Sequence, residues 1–578
     1  MLLYEAKMLG CLDAARVIDI TKETDLYSHE RRYVANLLAI ASGKQRLSHM
    51  NELVEDEFKA ACGGDYPKRS SNHDYLDRIA ARDAELVQNG QESIVEKFMD
   101  ETTRGYIQAG VLDGENVYVD KHVIEVCTEK NIPKDQHGTK RTIVKAIDEI
   151  RAVCADTKTS IFSKFLNAGE SMVKMVEPAL MKIKSLTDKT VKLLGLDKGF
   201  YDYAELKKAA EENGACIAIW AKDIPMTLES LAAVPKEKFE PYEVEVVKGS
   251  NGSTCEILKV QIADAGEIVV DGEGDKVRAV VLQNEETGRR VGILTFGKTA
   301  GAYDKREIAD FLYGKQHVEN YFKERKKWGS DKFCGGLFKE VKILPPSKEE
   351  IQKMQKRITG IEKKLPKLSQ DIEDYASLLK EKKLSKSDYK KLSKKAHSDI
   401  VRLEEELKGL KVKVELGVKG LTPQQEPQHE LDTRKMAILS VIQDHALMCR
   451  RYILTSVKQL LKEVLLEKLG HSLSLTEHAL EEKVVRHLSN INMQTLSTRL
   501  FEQGGYIYKD DSANEYVVIM KNYDISFLKE VYLKLCKEFQ KIDVYIESGK
   551  KKYRLVFTNE NSFKKKYGRN LSVKVRAA

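Results

Sequence analysis

The stretch Thr190–Trp220 reads TVKLLGLDKGFYDYAELKKAAEENGACIAIW. Thr190 to Leu196 is β-like and ends at Asp197. Tyr203 to Asn213 has helical spacing, and Gly214 follows as a C-cap. Ala215 to Trp220 is an unbroken apolar run of the kind buried on both faces. Strand, helix, strand at this spacing predicts parallel pairing in an α/β sheet.

The pattern extends both ways. Upstream, residues 116–126 alternate like a strand, and the run Asn116–Asp120 ends on an acid. A polar, basic loop covers Lys130 to Arg141. Thr142–Val153 and Ser160–Phe165 are strand-like, so the first three strands predict an antiparallel meander. Met172–Leu186 predicts a helix. Downstream, residues 240–296 are strand-rich, with turns at Gly249–Gly252 and Asp271–Gly274, and read as a β insertion. Asp304 to Trp328 is strongly helical and carries Glu319.

The flanks differ in texture. Residues 1–110 read as helical, with apolar periodicity over Tyr33–Ile40 and again through Met50, Leu53, Val54 and Phe58. A basic turn, Pro67–Asn72, precedes a helix from Asp74 to Val87. From Ile351 the steps alternate three and four through Met354, Ile358, Ile361, Leu365, Leu368, Ile372, Tyr375 and Leu379. Gly360 and Pro366 predict a kink there. A second set runs Tyr389, Leu392, Ala396, Ile400, Leu403, Leu407, Leu410. Two such helices about a short turn at Leu384–Ser387 predict an antiparallel coiled-coil hairpin. A linker, Thr422–Gln428, leads to a helix over Thr433–Leu469. Then come a hairpin of Gly505–Tyr508 with Glu515–Met520, a helix over Ile525–Gln540 and a strand over Lys552–Phe557.

The expected organisation is multidomain α/β. A helical region of possible DNA-end binding spans 1–110, and the first part of an α/β core 111–223. A β-rich insertion spans 224–296 and the rest of the core, with the Glu319 helix, 297–345. A helical hairpin spans 346–421, and a helical and α+β region with a basic tail 422–578.

Composition narrows the function. The chain has 578 residues, 42% hydrophobic and 32% charged. That is above the ~25% charge usual in globular chains and favours long exposed helices. No secretory leader or membrane-length apolar run is apparent, and the nine cysteines form no CxxC pair. A zinc site or a disulfide framework is therefore not expected, and a reducing cytoplasm is. Net charge is +8; residues 347–415 and 561–578 each carry a net +6, so the rest is slightly acidic. Basicity confined to a helical region and a tail suits an accessory surface on DNA, or simply a solvated helix face. There is no P-loop, HExxH or GxSxG, and Gly297–Thr299 lacks the upstream glycine. His122 reads as a surface residue.

Three acids remain. Asp120 and Asp197 sit at strand tips, and Glu319 lies on a helix. The order is strand-Asp, meander, helix, strand-Asp, helix, strand, insertion, helix-Glu. It follows the ribonuclease H-like plan. Carboxylate oxygens on rigid backbone suit two Mg²⁺ or Mn²⁺ ions, which assist phosphodiester cleavage when about 4 Å apart.

At these residues the chain resembles the DDE transposases of bacterial insertion sequences that carry a β insertion before the catalytic Glu. In the family's first block, Asp is followed one residue later by His, matching Val117–His122. The second is an apolar strand, then Asp-Arg-Gly-aromatic; here it is Leu194–Tyr201, with Lys198 for Arg. The third is Tyr, two residues, Arg, three residues, Glu, six residues, Lys. Glu319 and Lys326 match it, Lys315 stands for Arg, Leu312 holds the Tyr position, and Tyr313 is one residue late. The resemblance covers about residues 110–335.

It implies catalytic and metal-binding roles for Asp120, Asp197 and Glu319, with Asp120 bridging two Mg²⁺ (or Mn²⁺) ions. It implies DNA contacts by Lys198, Lys315, Lys323 and Lys326. The partners implied are double-stranded DNA, both element ends and target, and at least one further copy of the chain. The expected setting is a prokaryotic cytoplasm, at the nucleoid when acting. Other expectations fit the same residues: a silent, domesticated DNA-binding or assembly relative, or a metal-dependent nuclease without strand transfer.

Overall fold

The computed structural model describes residues 2–41, 62, 66–136, 142–168, 170–248, 254–270, 276–327, 338–341, 348–381, 385–418, 428–472, 484, 505–520, 526–541, 543–548 and 551–568. The chain forms two compact units. One comprises residues 1–127, 134–336 and 432–578, the other 128–133 and 337–431.

A ten-stranded mixed sheet organises the first unit. Its strands are β1 (Asn116–Glu125), β2 (Lys134–Gln136), β3 (Ile143–Cys154), β4 (Ser160–Asn167), β5 (Leu193–Leu196), β6 (Cys216–Trp220), β7 (Glu240–Lys248), β8 (Thr254–Val269), β9 (Lys276–Asn284) and β10 (Arg290–Phe296). The path runs β2-β3-β1-β5-β6-β10-β9-β8-β7, and β4 also pairs with β3. The first strands form the expected meander, antiparallel from Val117↔Cys154 to Glu125↔Ala146 and on into β4. The central strands are parallel, Val119↔Leu196 and Leu193↔Cys216. Their runs Val117–Val119, Leu193–Leu196 and Cys216–Ile219 are wholly buried, as sheet interiors covered on both faces require. The helices Val176–Thr187 and Tyr203–Asn213 form where expected, the second ending at Gly214. Residues 240–296 build β7 to β10, and β10 docks antiparallel on β6, so the added strands continue the same sheet.

Three details differ from the sequence reading. The stretch expected as a loop over Lys130–Arg141 holds the short strand β2, which pairs antiparallel with β3. Asp120 does not end its strand; β1 runs on to Glu125 because β3 keeps pairing with it after β5 has stopped. The helix expected over Asp304–Trp328 is two helices, Lys305–Gly314 and Gln316–Lys327, meeting at Lys315. Trp328 lies outside the described residues.

A helix of 39 residues, Arg434–Ser472, runs through this unit. Ile438, Ile442, Ala446, Cys449, Ile453, Val457, Leu461 and Val464 form one buried stripe along it, and Leu439, Val441, His445 and Leu447 bury further faces of its first half. The N-terminal helices close on it. His445 meets the Tyr33 hydroxyl at 2.5 Å and the Thr102 hydroxyl at 2.9 Å. Arg434 donates to Asp83 and Lys435 to Asp77, at 2.8 and 2.7 Å. A four-stranded sheet lies beyond, ordered β13 (Gly505–Asp510), β14 (Glu515–Met520), β16 (Lys551–Asn559), β15 (Tyr545–Ser548). The expected tail begins as a helix, Glu560–Tyr567, and residues 569–578 lie outside the described residues. So do Met50, Leu53, Val54 and Phe58 and most of the linker 422–428. Among the described residues, no helix is long and apolar enough to cross a membrane.

The second unit holds two 33-residue helices, Lys348–Lys380 and Lys386–Val418, packed side by side. Ile361, Ala396 and Leu403 bury the seam, and Arg357–Glu406 and Glu362–Lys411 pair across it at 2.8 and 2.7 Å. The first helix passes through Gly360 and Pro366 without ending. Short strands β11 (Phe338–Val341) and β12 (Gln428–Leu431) pair antiparallel.

Four buried charges tie the first unit together. Arg151 on β3 pairs with Glu149 and with Asp444 of the long helix. Arg325, on the helix Gln316–Lys327, pairs with Glu149 and Asp444, both at 3.0 Å. Ser440 and Tyr321 complete the set, the Tyr321 hydroxyl donating to Asp444 at 2.6 Å. Burial alone would raise the Glu149 carboxyl, but the two guanidinium charges outweigh it and hold it well below the usual range.

Asp444→Asn would leave two buried guanidiniums facing a single carboxylate, and should cost about 3–5 kcal/mol in equilibrium urea unfolding. The Glu149 pair also has a pH signature. With its folded pKa below the unfolded value of 4.5, the unfolded chain takes up the proton first. Its stabilisation is present above that value and disappears as pH falls through the folded pKa. Unfolding midpoints measured from pH 6 down to pH 2 should fall less steeply for Glu149→Gln than for the parent chain.

Candidate functional site

The parallel ladder between β1 and β5 ends at Val119↔Leu196. The next residues, Asp120 and Asp197, therefore emerge side by side from adjacent strands. Asp120 is mostly buried, and its Oδ1 accepts the Lys121 amide at 2.8 Å. Asp197 is half exposed. Between them lies the Lys315 ammonium, 3.5 Å from Asp120 Oδ1 and 3.8 Å from Asp197 Oδ1, on a side chain only 9% exposed. Burial raises the Asp120 carboxyl; Lys315 opposes that shift and Asp197 adds to it.

Alternate residues of β1 face the two helices that flank Lys315. Tyr118 stacks on Phe311 with ring centroids 4.7 Å apart, Asp120 meets Lys315, and the His122 ring lies 5.0 Å from that of Phe322. Tyr118 also explains why the helix breaks. Its hydroxyl donates to the Phe311 carbonyl at 2.5 Å, the acceptor that an unbroken helix would offer to the Lys315 amide. The Lys315 amide turns instead to Leu312, at 3.2 Å, and Val318 bonds the Lys315 carbonyl at 2.9 Å. Lys315 keeps right-handed torsions, φ −56° and ψ −24°, so the break is a change of hydrogen-bond register. Two glycines make room for Tyr118. A Cβ at Gly195 would lie 2.6 Å from its ring, and one at Gly314 would lie 2.5 Å from its hydroxyl.

Past the break, Val318, Tyr321, Phe322 and Arg325 are buried, and Arg325 enters the charge cluster. Glu319 falls on the opposite, open side. It is 60% exposed, and its ion pair is with Lys323 at 3.9 Å. The structure thus brings Asp120 and Asp197 together around Lys315, while Glu319 pairs along its own helix. Lys198 and Lys323 are exposed; the Lys326 side chain lies outside the described residues.

His122 is not a surface residue. It is buried, with Nδ1 3.6 Å from Glu149 Oε2, because the helix Gln316–Lys327 covers that face of β1. Asp113, in the turn before β1, accepts the Glu115 amide at 3.1 Å. With Cys154 and Asp156 it makes the one trio, among the described residues, whose potential ligand atoms all lie within 4.8 Å of one another. That trio flanks the start of β1, away from Asp120. Asp120, Asp197 and Glu319 are not gathered so tightly.

Sequence reasoning missed Glu149, Arg151, Arg325, Asp444 and the part played by Tyr118. One signal was present for the first two: three charged residues, Asp148, Glu149 and Arg151, inside the largely apolar strand Ile147–Val153.

No family model matches the chain, and no curated protein matches it. Among solved structures, a cryo-EM structure of a piggyBac transposase synaptic complex with hairpin DNA is similar over 84% of each chain, at 11% identity and a TM-score of 0.33. At that score the likeness does not assign a fold or a function.

The packing at Tyr118 gives a direct check. Gly314→Ala should lose about 1–3 kcal/mol of stability through overpacking against the tyrosine hydroxyl. Tyr118→Phe removes one neutral hydrogen bond and should lose about 0.5–1.5 kcal/mol. Equilibrium urea unfolding measures both, and a Gly314→Ala variant as stable as the parent chain would mean that Gly314 is not a steric requirement.

Proposed function

We propose that the chain is a metal-dependent DNA transposase that cleaves at the ends of an insertion element and transfers the resulting 3′-hydroxyl to target DNA. The observation that carries this reading is the pair Asp120 and Asp197, side by side at the end of a parallel two-strand ladder with a cation between them. The strand order β4-β3-β1-β5-β6 supports it, since a ribonuclease H-like core has an antiparallel meander followed by two parallel strands.

The donor set fits divalent ions. It offers hard carboxylate oxygens, and Lys315 already stands in as a positive charge between two of them. Asp120 would hold both Mg²⁺ or Mn²⁺ ions, Asp197 one and Glu319 the other. Bound there, the ions would activate the attacking water or 3′-hydroxyl and stabilise the leaving oxygen. Rigid strand ends fix Asp120 and Asp197. The buried charge cluster fixes the helix that carries Glu319. Lys198 and Lys323 are exposed, and on this reading they would pair with phosphates of bound DNA. A silent DNA-binding relative is the second reading, favoured by the pairing of Glu319 with Lys323 rather than with the strand-end acids.

Purified full-length protein, given Mg²⁺ or Mn²⁺ and DNA spanning both flanks of its own gene, should nick the element ends and join them to a second plasmid. Asp120→Asn keeps the shape but removes the charge. Its cleavage should fall by about three orders of magnitude or more, with binding to the same DNA retained. Cleavage by the Asn variant at the parental rate would remove Asp120 from the site. Binding without metal-dependent cleavage in the parent chain would leave the silent reading.

A further inference from the structure

The sequence places Lys315 among the DNA contacts, yet in the structure its ammonium points inward, to the acids. We propose that Lys315 is the resident cation of the Asp120–Asp197 pair and that divalent ions load only by displacing it. This rests on the reading of that pair as a metal site.

Three observations support the exchange. First, the ammonium touches both carboxylates, at 3.5 and 3.8 Å, while its side chain is 9% exposed. Screening by water is weak in such a place, so repulsion between the ammonium and an incoming divalent ion is strong. An ion bound to these oxygens at the ~2.1 Å typical of Mg²⁺ lies within about 6 Å of the present ammonium position. Second, the acid pair needs a positive charge. Asp120 and Asp197 emerge side by side from neighbouring strands, Asp120 mostly buried, and the cation that stands between them is Lys315. Third, the lysine lies outside a regular helical turn. It sits at the register break between two helices, with its amide bonded to Leu312 and its carbonyl to Val318 rather than in a continuous ladder.

The lysine therefore sets the metal affinity of the site. It holds the two strand-end acids together when no ion is bound, and it weakens the binding of any ion that replaces it. An arginine here would fill the same role with a wider, planar group that leaves less readily.

Lys315→Met keeps the length of the side chain and removes its charge, and Lys315→Gln serves as a second variant. Each is checked for folding by circular dichroism and titrated with Mn²⁺ and with Mg²⁺ by calorimetry, without DNA. Both variants should bind Mn²⁺ about tenfold tighter or more than the parent chain. Metal-free, both should melt below the parent, and saturating Mn²⁺ should close that gap. Equal or weaker binding by both folded variants would overturn the exchange while leaving the metal site in place. Absence of binding in parent and variants alike would overturn the metal site itself, and the exchange with it.

Discussion

Two arginines and two carboxylates, all but removed from water, hold this architecture in register. Arg151 and Glu149 come from one strand, Arg325 from a helix more than 170 residues later, and Asp444 from the long helix later still. Each ion has lost its hydration, and each is compensated only if all three segments dock together. A sliding of the Gln316–Lys327 helix along β1 would strand a guanidinium in the interior. The cluster thereby fixes not only whether that helix packs but at which residue, and so where Glu319 stands relative to the strand ends. The long helix lies outside every motif that marks the site, yet its Asp444 and Ser440 are required for that placement.

The core was legible in the sequence because its signals are local. Alternation in Asn116–Val126, the run Ala215–Trp220 and the glycine closing Tyr203–Asn213 each describe one element, and β1, β6 and the helix form there. The helical hairpin was legible for the same reason: a heptad seam depends only on neighbouring turns, and Ile361, Ala396 and Leu403 are buried as it requires. What escaped was long-range. The break at Lys315 cannot be read from Phe311–Val318, because its cause is a hydroxyl on Tyr118 in another strand. The burial of His122 depends on Phe322, and the pairing of Arg151 on Asp444. A charged residue looks exposed in a sequence until its distant partner is known.

The two kinds of information meet on one face of β1. Tyr118, Asp120 and His122 lie at successive same-face positions, and each meets a different part of the two helices above: the end of the first, the break, and the second. The spacing of a strand thus meters the spacing of a helix hinge. Moving the break by one residue would rotate Lys315 by about 100° around the helix and away from Asp120. The tyrosine that sets the break and the acid that receives the lysine are two residues apart on the same strand. Geometry and charge at this site therefore have a common origin.

That coupling also bears on why the strand-end acids can exist as they do. Asp120 is mostly buried, and a second carboxylate emerges beside it; burial and that neighbour both disfavour the ionised form of Asp120, and Lys315 opposes them. A protonated carboxyl is a poor ligand for a hard ion, so a site that waited neutral would have to lose a proton before it could bind one. The ammonium between the acids opposes that protonation of Asp120, standing 3.5 Å from its Oδ1 and 3.8 Å from that of Asp197. On the proposed metal reading, the ammonium that opposes protonation of Asp120 would also oppose an incoming divalent ion, so both effects would trace to one lysine.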